Sequence, residues 1–285
     1  MGASDPSPCP SSHSRLEPIG APRYVLCMSD VVLPELVADA WRLHEKWAGQ
    51  WWLVSLSAPV LFFGDFSAYR ASPLRVATVG LNPSRREFPK GAPFSRFPGA
   101  KATNISAYLN SLESYFWAMP LSWFNSYEQA LVGLGASYRG QRISSALHTD
   151  IGSVLPTDPT WSRLPPHVRR NLSSTGIPLW NRLIGYLEPN IVLWSTGRRW
   201  LDYLDLPDVT SWQDILEFRE TIRGATRRRP IVVCSRWYRL PNGAPVLIAF
   251  IPAAQTPLGR LSHSQKEEAG KVILSNWERG VLGGP

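Results

Sequence analysis

Four short apolar runs, Val76 to Gly80, Ile143 to Leu147, Ile191 to Trp194 and Val246 to Ile251, alternate along the chain with segments of helical spacing. Nothing else in the sequence restricts the fold so much. Each run has the length of a buried strand and is too short for a buried helix. Strands separated by helices pair in parallel, because a parallel pair needs a crossover long enough to hold one. The expected class is α/β, a three-layer αβα arrangement around a central, mainly parallel, four-stranded sheet. Helical spacing marks Ala102 to Trp117, Ser126 to Leu134, Pro178 to Leu187, Trp212 to Arg223 and Gln265 to Trp277. An additional strand, Ile231 to Leu240, is expected to pair antiparallel with the fourth through Pro241-Asn242-Gly243, since Asn-Gly suits a tight hairpin turn. Leu33 to Leu56 reads as an N-terminal helix whose Trp41, Trp47, Trp51 and Trp52 enter the core.

A length of 285 residues with 44% hydrophobic side chains allows one large or two small domains with ample core. Residues 1–22 carry Ser, Pro and Gly without periodicity and read as a disordered tail. Residues 23–285 read as a single domain with a helical extension at its start. Thirty Lys and Arg against 22 Asp and Glu give a formal charge of +8, with arginines grouped at 85–86, 169–170, 198–199 and 227–229. That balance suits a polyanionic partner, DNA in particular. Cys9, Cys27 and Cys234 are too scattered to assemble a zinc site and read as free thiols in a reducing cytoplasm. The sequence lacks an 18-residue apolar run and any leader with a basic start and apolar centre. A cytoplasmic protein with no membrane partner is expected, and no metal or organic cofactor is implied.

The first apolar run stops abruptly at Gly80-Leu81-Asn82-Pro83. A polar side chain is thereby displayed at the carboxyl end of a strand, the edge at which open α/β sheets bind ligands. Asn82 is the leading candidate for a working residue, although Asn before Pro is also an ordinary turn residue. Twelve residues on, Lys90-Gly-Ala-Pro-Phe94-Ser presents an aromatic ring in a loop.

Taken with the order of strands and loops, Gly80-Leu81-Asn82-Pro83 resembles the first motif, Gly-x-Asn/Asp-Pro, of the uracil-DNA glycosylase superfamily. The resemblance covers roughly residues 70–275. The Lys90 to Ser95 segment is similar to one that carries the base-stacking aromatic in the single-strand-selective branch. The resemblance implies that Asn82 positions the water attacking C1′ of an oxocarbenium-like sugar. It also implies that Gly80 borders the base and that Phe94 stacks on it, with Phe88 and Phe97 as the alternatives in a shifted loop register. A glycosylase must flip its target out of the duplex, stack it and read its Watson–Crick edge. A neutral amide orients water but is a weak base, so catalysis would rest on positioning and electrostatics.

The second motif falls on Ala146-Leu147-His148-Thr149-Asp150-Ile151-Gly152, where the superfamily usually has an Asn reading the uracil edge. Asp150 is the nearest equivalent, Thr149 if the alignment slips by one, and His148 stands beside them. An ionised Asp only accepts hydrogen bonds, whereas uracil O4 is also an acceptor and cytosine N4 is a donor. A cytosine-type base is therefore expected. Free excision of unmodified cytosine would destroy the host genome, so the base is expected to be modified. The family includes phage-defence glycosylases that remove glucosylated hydroxymethylcytosine, and this chain is compatible with that branch. Asp158 and Trp161 are further candidates for lining the base or sugar pocket.

In the last motif the usual His or Asn is replaced by Ile251. Gln255 or Thr256 is left to contact base or phosphate, and Leu258 and Arg260 to serve as wedge and phosphate anchor. Arg85, Arg86, Arg198 and Arg199 complete the expected DNA contacts. The histidine-bearing insert that traps one branch covalently on DNA is not matched. Three readings follow: a monofunctional glycosylase for modified cytosine leaving an abasic site, a uracil or mismatched-thymine repair glycosylase, and a non-catalytic reader of modified DNA. An α/β protein for small ligands lacks the expected Gly-rich phosphate loop.

Overall fold

The computed structural model describes residues 28–254 and 256–284. The expected tail, Cys9, Cys27 and Gln255 lie outside the described residues. The strands are β1 (Val76–Gly80), β2 (Ala136–Ser137), β3 (Ser144–Asp150), β4 (Ile191–Trp194), β5 (Gln213–Glu220), β6 (Thr226–Arg239) and β7 (Pro245–Phe250). The helices are α1 (Met28–Lys46), α2 (Phe66–Ala71), α3 (Ile105–Glu113), α4 (Asn125–Gly133), α5 (Pro166–Leu187) and α6 (His263–Gly283).

All strands join one seven-stranded sheet in the order β2-β3-β1-β4-β7-β6-β5. The first five in that order run parallel, and β6 and β5 close the edge antiparallel. Every residue of β1, β3 and β4 is buried, as parallel strands covered on both faces must be. Consecutive residues of β3 show the two coverings. The His148 ring meets Phe124 and Tyr127 of the α4 segment, while the Thr149 hydroxyl accepts a 3.0 Å bond from the Trp180 indole of α5 on the opposite face. Behind α5 lies α1, tied by the Arg182–Asp39 ion pair. Helix α6 packs on β5 and β6 beside α4, which it approaches so closely that a Cβ on Gly133 or Gly270 would overlap the other helix's backbone. One apolar cluster runs from Leu36 to Ile273.

The α/β class and the parallel centre hold, but the sheet has seven strands, not four. The largest correction is 212–223, expected as a helix and found as β5. Leu216 and Phe218 turn toward the sheet while Glu217 and Arg219 are exposed, a period of two that two register shifts disguise. The second strand runs on to Asp150, and Ile143 is left 86% exposed. Helix α5 starts at Pro166, which leaves Pro178 inside it. The first helix ends at Lys46, before Gly49 at φ +80°, and Trp51 is 64% exposed instead of in the core. The expected antiparallel β6–β7 hairpin forms, turning through Pro241-Asn242-Gly243 between Leu240 and Ala244, with Gly243 at φ +83°. No helix among the described residues is long and apolar enough to cross a membrane.

Candidate functional site

Parallel pairing sets Gly80, the last residue of β1, directly opposite Asp150, the last residue of β3. A Cβ at position 80 would overlap Asp150 Oδ1 and come within 2.8 Å of His148 Nε2. Glycine is required there because two polar side chains of the neighbouring strand occupy the space above it. The chain then leaves the sheet through two loops laced together. Ile151 N donates to Gly80 O (3.1 Å), Ser153 N to Leu81 O (3.0 Å), Thr157 N to Pro83 O (3.1 Å) and Arg85 N to Thr157 O (3.1 Å).

Asn82 sits in this lacing. One atom of its side-chain amide faces the carbonyls of Pro83 (2.7 Å) and Leu155 (3.3 Å) and the Thr157 hydroxyl (2.9 Å). Two carbonyls can be satisfied only by a donor, which makes that atom Nδ2. The amide is pinned by its nitrogen, and Oδ1 takes no hydrogen bond from the described residues. It can accept one from water or ligand.

Asp150 is 5% exposed, and its Oδ1 lies 3.6 Å from His148 Nε2. Among the described residues no donor stands within hydrogen-bond range of this carboxylate. His148 is boxed by Phe63, Trp123, Phe124 and Tyr127, and its Nδ1 lies 2.7 Å from the Thr78 hydroxyl, which also bonds the Tyr138 phenol. The Nε2 edge of the ring faces Asp150. His148 is thus a buried prop of the carboxylate. Thr149 points away from the site; its hydroxyl is spent on Thr78 O and Trp180.

Glu87 is a residue that sequence reasoning passed over. Ser84 caps the 3-10 turn Arg85–Glu87 and so turns Glu87 inward, to 4% exposure, where the Tyr115 phenol donates to it at 2.6 Å. Burial pushes its carboxyl up to about 8, helped by the Asp150 charge and opposed by Tyr115, Arg96 and Arg86. At neutral pH it is mostly the neutral acid, able to donate as well as accept. Between Arg86 and Phe88, nothing in the sequence distinguishes it from a solvated acid.

The remaining candidates scatter around the carboxyl edge. Phe94 is half-buried, edge-on to Phe88 at 6.2 Å. Phe88 and Phe97 are wholly buried and stacked on each other, so neither is a free platform. Arg85 reaches Asp158 (3.5 Å), while Arg86, Arg199 and Arg260 are exposed. Arg198 lies over the Trp212 and Phe250 rings. Leu258 contradicts its expected role as a wedge. It is fully buried at φ +50°, with its N–H bonded to Ser195 Oγ (3.0 Å). Ile251 is also fully buried. Thr256 is half-buried. No group of three or more His, Cys, Asp or Glu among the described residues is placed to hold a metal ion.

Comparison with known protein families and with curated proteins returns no match for this chain.

Proposed function

We propose that this protein is a monofunctional DNA glycosylase that hydrolyses the N-glycosidic bond of a flipped, modified cytosine, such as glucosylated hydroxymethylcytosine in phage DNA, and leaves an abasic site. One observation carries the reading. A buried carboxylate, Asp150, stands over a glycine at the ligand-binding edge with no hydrogen-bond donor from the described residues in range, two residues in register from an amide whose oxygen is free. Apart from His148 Nε2 at 3.6 Å, the carboxylate has no donor close by among the described residues, and the exocyclic amino group of cytosine would supply one. Uracil would bring another acceptor and be repelled.

In the reaction, Asn82 Oδ1 holds a water below C1′. The water oxygen bonds C1′ as the C1′–N1 bond breaks, and the proton lost by the water balances the one taken up by the departing base. Asn82 contributes position, not basicity. Defence against phage is the setting in which a modified-cytosine glycosylase spares the host chromosome. The residues that carry this reading are those through which the chain resembles the uracil-DNA glycosylase superfamily.

The test uses purified protein and matched duplexes containing cytosine, hydroxymethylcytosine, glucosylated hydroxymethylcytosine or uracil, scored for released base and alkali-labile sites. Release confined to modified cytosine and lost in Asn82→Ala supports the proposal. Release from uracil returns the protein to repair of deaminated DNA. Burial of Leu258 favours one other reading, a reader that binds modified DNA without excision; tight binding with no released base would establish it.

A further inference from the structure

Beyond Gly152, on the far side of Trp161 from Leu81, lies a cavity of about 550 Å³ that the proposed reaction does not use. Its lining includes three arginines, Arg169 and Arg170 of α5 and Arg199 of the 3-10 segment after β4, and three aromatic rings, Trp161, Trp200 and Tyr203. The rings form a ladder, with 5.6 Å between the centroids of Trp161 and Trp200 and again between those of Trp200 and Tyr203. Trp161 and Trp200 are buried as its floor, and Tyr203 is 51% exposed at its rim. None of the three arginines forms an ion pair with an acid among the described residues. The Trp161 indole N–H has no partner there either.

Arginine side chains that line one cavity without a paired acid suit an anion there. The rings are tilted against one another, by 60° and 54°, and the half-exposed Tyr203 offers a planar ring an aromatic face at the rim. A neutral sugar would leave the charges unanswered, and an inorganic anion would leave the rings unused. The volume falls within the range of small-ligand pockets. We infer that this cavity is a nucleotide site, with a base against the Tyr203 ring and its phosphate among Arg169, Arg170 and Arg199. Its place on the same carboxyl edge as Asn82 favours a nucleotide of the bound DNA strand over a free one. That choice of source rests on the proposed action on DNA; the nucleotide chemistry does not.

The test measures binding of deoxycytidine, deoxycytidine 5′-monophosphate and a fluorescent eight-residue oligothymidylate to wild type, to the Arg169→Ala/Arg199→Ala double variant and to Tyr203→Leu. Melting curves check that each variant folds. The monophosphate should bind more tightly than the nucleoside, and both substitutions should weaken nucleotide binding by about tenfold or more. The double variant should lower the slope of log affinity against log salt for the oligonucleotide by about 1 to 2, which damage to packing would not do. Displacement of the oligonucleotide by excess monophosphate, with both weakened by the same substitutions, assigns the site to a nucleotide of the DNA strand. Monophosphate binding that leaves the oligonucleotide in place assigns it to a free nucleotide. Unchanged affinities in both folded variants overturn the inference, whatever the excision assay gives. Absence of excision with variant-sensitive nucleotide binding overturns the catalytic proposal and leaves this one standing.

Discussion

At the residue scale, position 80 tolerates nothing but glycine, because a single methyl group there meets both Asp150 and His148. Gly80→Ala should fold with a loss of about 1 to 3 kcal/mol, the usual cost of overpacking. Excision should fall by about 100-fold or more, since a small displacement of a positioned group costs that much. Melting temperature and single-turnover rate, measured on one preparation, check both. Asp150→Asn restores a donor and should shift base preference toward uracil; an unchanged preference would end the direct-readout explanation. Glu87 provides a prediction in pH. Its folded carboxyl titrates at about 8 against an ordinary 4.5, so between those values the folded state keeps a proton that the unfolded state has released. Stability from this group is complete below about pH 4.5 and is lost as pH rises toward 8, at up to about 1.4 kcal/mol per unit. Glu87→Gln should flatten that part of the profile, read as the difference between the two proteins' unfolding free energies from pH 5 to 9.

At the element scale, the pairing of α4 with α6 depends on Gly133 and Gly270, each of which would drive a Cβ into the other helix's backbone. Alanine normally improves a helix interior by about 1 kcal/mol. Here the overlap outweighs that gain, because the opposing atoms are backbone and cannot swing aside, and Gly270→Ala should lose about 1 to 3 kcal/mol. Gly283→Ala, with open space around it, is the control that should not. Chemical denaturation of both variants tests the contrast. The same elements show what the sequence could convey. Strands β1, β4 and β7 were legible because unbroken apolar runs are what strands buried on both faces require. Gly80 and Asn82 were legible because the first apolar run stops there, and Asp150 because it closes the polar stretch that follows the second run. Strand β5 was not, since its two register shifts break a period of two into something that passes for helical spacing. Neither was the inward turn of Glu87, nor the burial of Leu258, because both depend on contacts with residues distant in the chain. Local pattern reports which strands exist and how they end; it does not report which loop residues the tertiary fold pulls inside.

At the scale of the whole molecule, charge and architecture point to one edge. Strand β7 stops at Phe250, opposite Cys234, so residues 226–233 of β6 continue past it with β5 alongside. This two-stranded arm rises beyond the carboxyl edge of the parallel sheet, where Arg227 reaches the Arg260 carbonyl. Arg228 and Arg229 are exposed on it and have no ion pair among the described residues, and Ile222 at its tip is 59% exposed. The Arg228→Ala/Arg229→Ala variant should bind duplex DNA more weakly regardless of sequence and lower the salt slope by about 2. An anisotropy titration at several salt concentrations would show it, and an unchanged slope would place the DNA elsewhere. The lacing between residues 80–85 and 151–157 has a mechanical outcome of its own. The Asn82 amide sits in a loop laced by successive backbone hydrogen bonds to the segment that follows Asp150 at the end of β3, so the two cannot drift apart independently. On the proposed reading, their separation is a fixed gauge against which a flipped base is measured. On that reading, any adaptation to the base falls to the other side of the edge, where the arm and the loop through Leu258 lie.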